Sequence, residues 1–154
     1  MVRGEEIIGQ NVFVRAELAL DDGRSLPILA MGPICLAPAF QRQGLGKQLL
    51  DFSLARATEL GYGAVCFEGN LAFYGHSGFR PASTFGLRYH DLPPEADASF
   101  LLAKALKPGY LDSLSGKYTP PAPYFVCDRE PEAFATFEAT FPPREKLSLP
   151  GQLF

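Results

Sequence analysis

From Ile7 to Leu20 the chain is rich in β-branched and aromatic residues, and the run ends at Asp21-Asp22-Gly23-Arg24, whose Asp-Gly pair signals a hairpin turn. The pattern predicts a hairpin. Its return arm, Leu26 to Leu36, is apolar but carries Pro27 and Gly32-Pro33, which predicts a break or bulge in the middle. A helical period follows from about Leu45 to Leu60, with Leu49, Leu50, Ala57 and Leu60 on one broad face and Lys47, Asp51, Thr58 and Glu59 opposite. Gly61 is placed to stop this helix before a short apolar strand, Ala64 to Phe67. The order strand, helix, strand predicts parallel or splayed pairing, hence an α/β layer. Beyond Phe79 and Pro81 a loop leads to a further strand over Ser99 to Leu106, so the sheet is expected to be mixed.

From Lys107 onward Pro108, Pro120, Pro121, Pro123, Pro131, Pro142, Pro143 and Pro150 interrupt the chain. The expectation is a core over residues 1–106 and a mostly irregular, Pro-rich extension over 107–154, together one domain. Inside the extension, Phe134, Phe137 and Phe141 recur at helical spacing after Pro131. They predict a short helix whose phenylalanine stripe docks on the body. The sharper alternative is an aromatic wall for a substrate.

Between hairpin and helix, Ile34-Cys35-Leu36 runs through Ala37-Pro38-Ala39-Phe40 into Gln41-Arg42-Gln43-Gly44-Leu45-Gly46-Lys47. Glycines here let the backbone approach a ligand, while the free N–H groups and positive dipole of a helix start favour phosphate. Arg42 and Lys47 add charge, so the segment reads as an anion cradle. Spacing excludes two nucleotide motifs. A Walker A loop would need Gly and Ser or Thr where Gln41 and Gln48 stand, and a dinucleotide fingerprint would need Gly at Leu49.

Composition adds bounds. At 154 residues, 47% of them hydrophobic, one domain with a sizeable core is expected. A net charge of −3 gives no general attraction to nucleic acid or anionic membranes, so anion binding must rest on local groups such as Arg42 and Lys47. No apolar run reaches membrane-span length and Met1-Val2-Arg3-Gly4-Glu5-Glu6 does not read as a signal peptide, so a cytoplasmic location is expected. Cys35, Cys66 and Cys127 lack metal-ligand spacing, and the two in apolar strand patterns are expected to be reduced core residues. His76 and His90 are scattered, and no metal is expected.

The pattern Gln/Arg-x-x-Gly-x-Gly/Ala, met by Gln41, Gly44 and Gly46, resembles the acetyl-CoA pyrophosphate loop of the GNAT acetyltransferase superfamily. Downstream, Phe73-Tyr74-Gly75-His76-Ser77-Gly78-Phe79 resembles that superfamily's Tyr-x-x-x-Gly-Phe element, in the expected order. The resemblance covers roughly residues 5 to 106. It implies a GNAT-like, splayed mixed sheet with flanking helices. It further implies acyl transfer from acetyl-CoA to a small-molecule or peptide amine in a ternary complex.

The resemblance places the donor's pyrophosphate on the backbone of Arg42 to Lys47, with Gln41, Gln43, Gly44, Leu45 and Gly46 shaping the loop, and its pantetheine along Ile34, Cys35 and Leu36. A backbone N–H near Leu36 would polarise the thioester carbonyl. Tyr74 becomes the candidate general acid for the coenzyme A thiolate, and Glu68, ending the second strand, the candidate general base. Asn70 resembles a cofactor-touching residue, or caps the helix after it; Phe73 is a further candidate for cofactor binding.

GNAT domains usually place a strand and two helices ahead of the hairpin that here begins near Ile7. In relatives those elements form part of the acceptor wall. An open groove, a wall built by the phenylalanine-rich tail, a second subunit, or a start codon assigned too late would each account for the difference. An exposed sheet edge needs cover, so the expectation is a homodimer or a tail that wraps back. The alternative functional reading is a non-catalytic acyl-CoA-binding or regulatory module; a fold retained without ligand is opposed by Arg42, Gly44, Gly46 and Lys47 together.

Overall fold

The computed structural model, which describes residues 1–93, 95–143 and 145, begins with two short strands, β1 (Val2–Arg3) and β2 (Glu6–Ile7). They pair with each other, so the first long strand starts at Gly9 rather than Ile7. The expected hairpin is β3 (Gly9–Leu20) and β4 (Ser25–Leu36). Then follow α1 (Leu45–Glu59), β5 (Ala64–Glu68), α2 (Leu71–Tyr74), β6 (Arg80–Pro81), β7 (Leu87–Tyr89), β8 (Leu101–Ala105), β9 (Gly116–Tyr118), α3 (Val126–Arg129) and α4 (Pro131–Glu138). Strands β3 to β9 form one curled mixed sheet in the order β6-β8-β5-β4-β3-β9-β7. The β4–β5 and β7–β9 pairs are parallel and the others antiparallel.

Strand β4 runs through both prolines without a break. Asn11 faces Ile34 and Phe13 faces Met31, so Gly32 and Pro33 together stand opposite Val12, a bulge on β4. Because Leu20 N–H bonds Arg24 C=O, ladder alternation turns the N–H-less side of Pro27 away from β3. On that side β5 reaches only Leu29 and Ala30, and Tyr110 Oη–H bonds the Pro27 carbonyl at 2.6 Å. The bulge also changes which face each later residue takes. Leu29 and Met31 before it and Ile34 after it share one face, which sends Cys35 to the other, where it is exposed rather than in the expected core.

On one face of the sheet α1 lays Leu50, Leu54 and Ala57 over Leu29, Met31, Val65, Phe67 and Leu102. Leu60, expected on that apolar stripe, is 69% exposed. The helix has closed before it can turn inward: Gly61 N–H bonds Thr58 C=O and Tyr62 N–H bonds Ala57 C=O, a Schellman turn with Gly61 at positive φ. The opposite face buries Leu18, Ile28, Ala64 and Cys66 under Leu87, Leu111 and Tyr118.

The chain beyond Lys107 is therefore not irregular throughout. Strand β9 lies between β3 and β7, and Leu111 and Tyr118 are 0% and 1% exposed. It covers the outer edge of β3 only at Leu18, Ala19 and Leu20. Helix α4 forms as expected, but its stripe does not dock on the body. Phe134, Phe137 and Phe141 are exposed, and Phe137 stacks edge-on against Phe141 with centroids 5.1 Å apart.

Candidate active site

The start of α1 is built to leave donors free. Arg42 and Gly44 both hold left-handed φ, 59° and 77°, and turn the chain out of β4 into the helix. Gln41 Nε2–H bonds the Leu36 carbonyl and Gln43 Nε2–H the Ala39 carbonyl, each at 3.0 Å, which fixes the loop from within. Among the described residues no backbone N–H from Arg42 to Lys47 has an acceptor; the first helical bond is Gln48 N–H to Gly44 C=O at 3.2 Å. A Cβ at Gly44 would meet nothing within 4 Å, so the concavity is open to solvent. Six N–H groups thus stand without a protein acceptor at the positive end of the helix dipole, a setting that suits an anion. The Arg42 side chain is exposed, whereas Lys47 pairs with Asp51 at 2.5 Å, so Arg42 is the freer charge.

Next to this loop the sheet opens. Strands β4 and β5 pair at Leu29–Val65 and Ala30–Cys66 and nowhere beyond. Ala37 N–H bonds Ile8 C=O, so the alternation of the ladder points the backbone groups of Cys35 at Gln10 and those of Ile34 and Leu36 into the gap. The Leu36 carbonyl is taken by Gln41. The gap is a cleft of about 520 Å³ lined by Met31, Gly32, Pro33, Ile34, Phe67, Glu68, Tyr74, Tyr118 and Tyr124.

Tyr74 and Glu68 reach the cleft from opposite faces. Strand alternation puts Val65 and Phe67 under α1 and Ala64, Cys66 and Glu68 on the other side. Tyr74, at the end of α2, packs edge-on against Phe67 at 4.7 Å and against the exposed Phe73 at 4.9 Å. Burial raises its hydroxyl pKa. Asn70 caps α2, its Oδ1 accepting the Ala72 N–H at 2.9 Å. Lys104 Nζ bonds the Ser77 carbonyl and so holds the turn that leads to buried Phe79.

On the other face Tyr89 Oη–H donates to Glu68 Oε1 at 2.8 Å. Burial first, and then this bond, raises the Tyr89 pKa well above that of free tyrosine. Tyr118 from β9 and Tyr124 from the turn before α3 complete the wall, and burial raises both of their pKa values. A Cβ on Gly32 would stand 3.0 Å from the Tyr124 hydroxyl, so the bulge glycine makes room for that ring. Among the described residues Glu68 is the one charged residue in the lining.

The structure therefore brings Ile34, Glu68 and Tyr74 to one cleft and sets the loop Gln41 to Lys47 beside it. Sequence reasoning missed Tyr89, Tyr118 and Tyr124. Tyr118 and Tyr124 lie in the Pro-rich extension and Tyr89 in the stretch expected to be a loop between Pro81 and Ser99, so no local pattern marked them. Tyr118 and Tyr124, not the phenylalanines of the alternative reading, are the residues of the extension that line the cleft. A second groove, about 440 Å³ between α1 and the hairpin, offers Arg15 and Arg56 and, among the described residues, no carboxylate, histidine or cysteine. Among the described residues no group of three or more His, Cys, Asp or Glu could hold a metal, and no helix is long and apolar enough to cross a membrane.

Residues 2–81 match the family described as Acetyltransferase (GNAT) domain. The uncharacterized N-acetyltransferase YhbS of Escherichia coli strain K12 is 31% identical over 83 residues, 54% of this chain and 48% of YhbS. The chain spans about half the length of the curated relatives it matches. The solved structure of Escherichia coli YhbS in complex with CoA superposes with a TM-score of 0.63 at 27% identity, covering 73% of this chain and 59% of that one. A GNAT family acetyltransferase from Brucella melitensis in complex with acetyl-CoA gives 0.58 at 20% identity, over 80% and 64% of the two chains, a likeness of fold.

Proposed function

Because this chain belongs to the GNAT acetyltransferase family, we propose that it moves an acetyl group from acetyl-CoA to an amine by direct attack within one ternary complex. The observation that carries this reading is the row of unpartnered N–H groups from Arg42 to Lys47, which opens beside the β4–β5 cleft. An anionic pyrophosphate suits the first and an extended, amide-bearing arm suits the free edge of Ile34 and Leu36. That YhbS was solved with CoA supports the same assignment.

In this reading the amine nitrogen forms a bond to the thioester carbonyl carbon, the carbon–sulfur bond breaks, and N-acetylamine and coenzyme A leave. Leu36 N–H is the candidate donor to the carbonyl oxygen as charge develops there. Tyr74 gives its hydroxyl proton to the departing sulfur; its raised pKa keeps it protonated at neutral pH. Glu68 takes the proton that the amine sheds. Asn70 serves as the cap that fixes α2, and through α2 the height of Tyr74. A carboxylate and a phenol entering one cleft from opposite faces favour an enzyme over a non-catalytic acyl-CoA-binding module.

Calorimetric titration of acetyl-CoA into the full chain tests the reading, beside Gly44→Glu, which fills the open concavity and adds a like charge. Binding by the native chain and its loss in Gly44→Glu are expected. Tyr74→Phe should bind acetyl-CoA normally yet release coenzyme A thiol roughly a hundredfold more slowly with an amine present. Absence of binding by the native chain would withdraw the proposal.

A further inference from the structure

The lining of the cleft on the Glu68 side has a chemistry of its own. Glu68 supplies one carboxylate, with Oε1 already engaged by Tyr89 and Oε2 left for a ligand. Around it stand the rings of Tyr118 and Tyr124, with Met31 and Pro33 completing an otherwise apolar surround. Among the described residues no lysine, arginine or histidine lines the cleft. Arg88, on the strand that carries Tyr89, is turned outward and bound to Asp21 at 2.6 Å.

Such a surface discriminates by charge. An organic cation gains a carboxylate and aromatic faces on entering. A carboxylate or phosphate would shed its water and find no cation in return. Electrostatics agree with the geometry: after burial, the Glu68 charge is among the causes that raise the pKa values of Tyr118 and Tyr124, so both rings lie within its field. Size narrows the choice further, because about 520 Å³ must also admit the thioester end of the donor.

Resting on the acetyltransferase reading above, we propose that the acceptor site formed by Glu68, Tyr89, Tyr118 and Tyr124 selects a small organic monoamine with an apolar body and no carboxylate. The amine enters as the ammonium with Glu68 as its counter-ion. Amino acids are disfavoured by their second charge. A polyamine finds one carboxylate in the cleft and no more.

Phenethylamine and phenylalanine test this, since they share a body and an ammonium group and differ by a carboxylate. Each is titrated calorimetrically into the full chain, with and without CoA. Phenethylamine should bind about tenfold or more tightly than phenylalanine, and the preference should collapse in Glu68→Gln, which keeps shape and removes charge. Tyr124→Leu should weaken phenethylamine with CoA binding unaltered. Equal or tighter binding of phenylalanine, binding of neither compound, or a preference unchanged in Glu68→Gln would overturn the inference. A chain that prefers phenethylamine but fails to bind CoA or acetyl-CoA would uphold this pocket and sink the acyl-transfer reading beneath it.

Discussion

Gly32 and Tyr124 meet across the mouth of the cleft, where a Cβ on the glycine would stand 3.0 Å from the tyrosine hydroxyl. One residue sits in the β4 bulge and the other ninety-odd positions later in the turn before α3. The first prediction follows from that approach. Gly32→Val should displace the Tyr124 ring and raise the KM for an amine acceptor roughly tenfold, while acetyl-CoA affinity, set at the start of α1, stays as it was. Steady-state kinetics on both substrates would check it, and an equal loss on both would count against a separate acceptor wall.

Tyr89 and Glu68 should behave as one unit. Tyr89→Phe removes the donor and Glu68→Ala the charged acceptor, and each alone should lower stability by about 1 kcal/mol. The double variant should lose less than the sum, with a coupling of roughly 0.5–1 kcal/mol. Urea unfolding of the four proteins measures this directly. Strict additivity would mean that the 2.8 Å contact contributes nothing.

Arg42 holds a left-handed φ of 59° that glycine adopts without strain. Arg42→Gly should therefore stabilise the fold by about 1 kcal/mol. It should at the same time weaken acetyl-CoA binding, because it removes the freer of the two charges at the cradle. A rise in melting temperature with a weaker calorimetric Kd is the expected pair of results. A stabilised variant with unchanged affinity would mean that the Arg42 side chain contributes nothing to the anion site.

Burial pushes the Cys66 thiol up to about 12. An unfolded thiol loses its proton near pH 8.5, so from there to about 12 the unfolded chain binds fewer protons than the folded one. Stability must then fall as pH rises, by up to roughly 1.4 kcal/mol per pH unit for this one group. Chemical denaturation between pH 8 and 10 should show that slope, and Cys66→Ala should flatten it whatever its effect on absolute stability. Tyr118 adds a further decline above pH 10, where an unfolded tyrosine ionises and the buried one does not.

How much of this could be read in advance depends on how local the cause is. Helix α1, the Asp-Gly hairpin, β5 and the turn at Gly44 into the helix are written in short-range patterns, and they stand where those patterns put them. Bulge geometry was half legible. Gly32-Pro33 announced an irregularity, but the change of face that moves Cys35 out of the core depends on the register with Val12. Strands β7 and β9 are three residues each, too short to show alternation, and their residues become strand only because partners a long way off in sequence accept them. The tyrosines around Glu68 were invisible for the same reason. The phenylalanine stripe of α4 shows the converse, since amphipathic spacing identifies a helix without saying what surface receives it.

The pairing of Leu18 with Tyr118 joins residues about a hundred positions apart. Closing so long a loop is a slow event, and most of the other strand contacts can form before it. During synthesis the hairpin, the cradle and β5 leave the ribosome well ahead of β9. The chain thus completes the hairpin and the start of α1 first and its tyrosine-lined side last. Until Gly116–Tyr118 slots between β3 and β7, Leu18 and Leu87 keep apolar surface in water and β7 lacks its parallel neighbour. Any delay or truncation in that last stretch would expose the growing chain to edge-to-edge association along the open edge of β3.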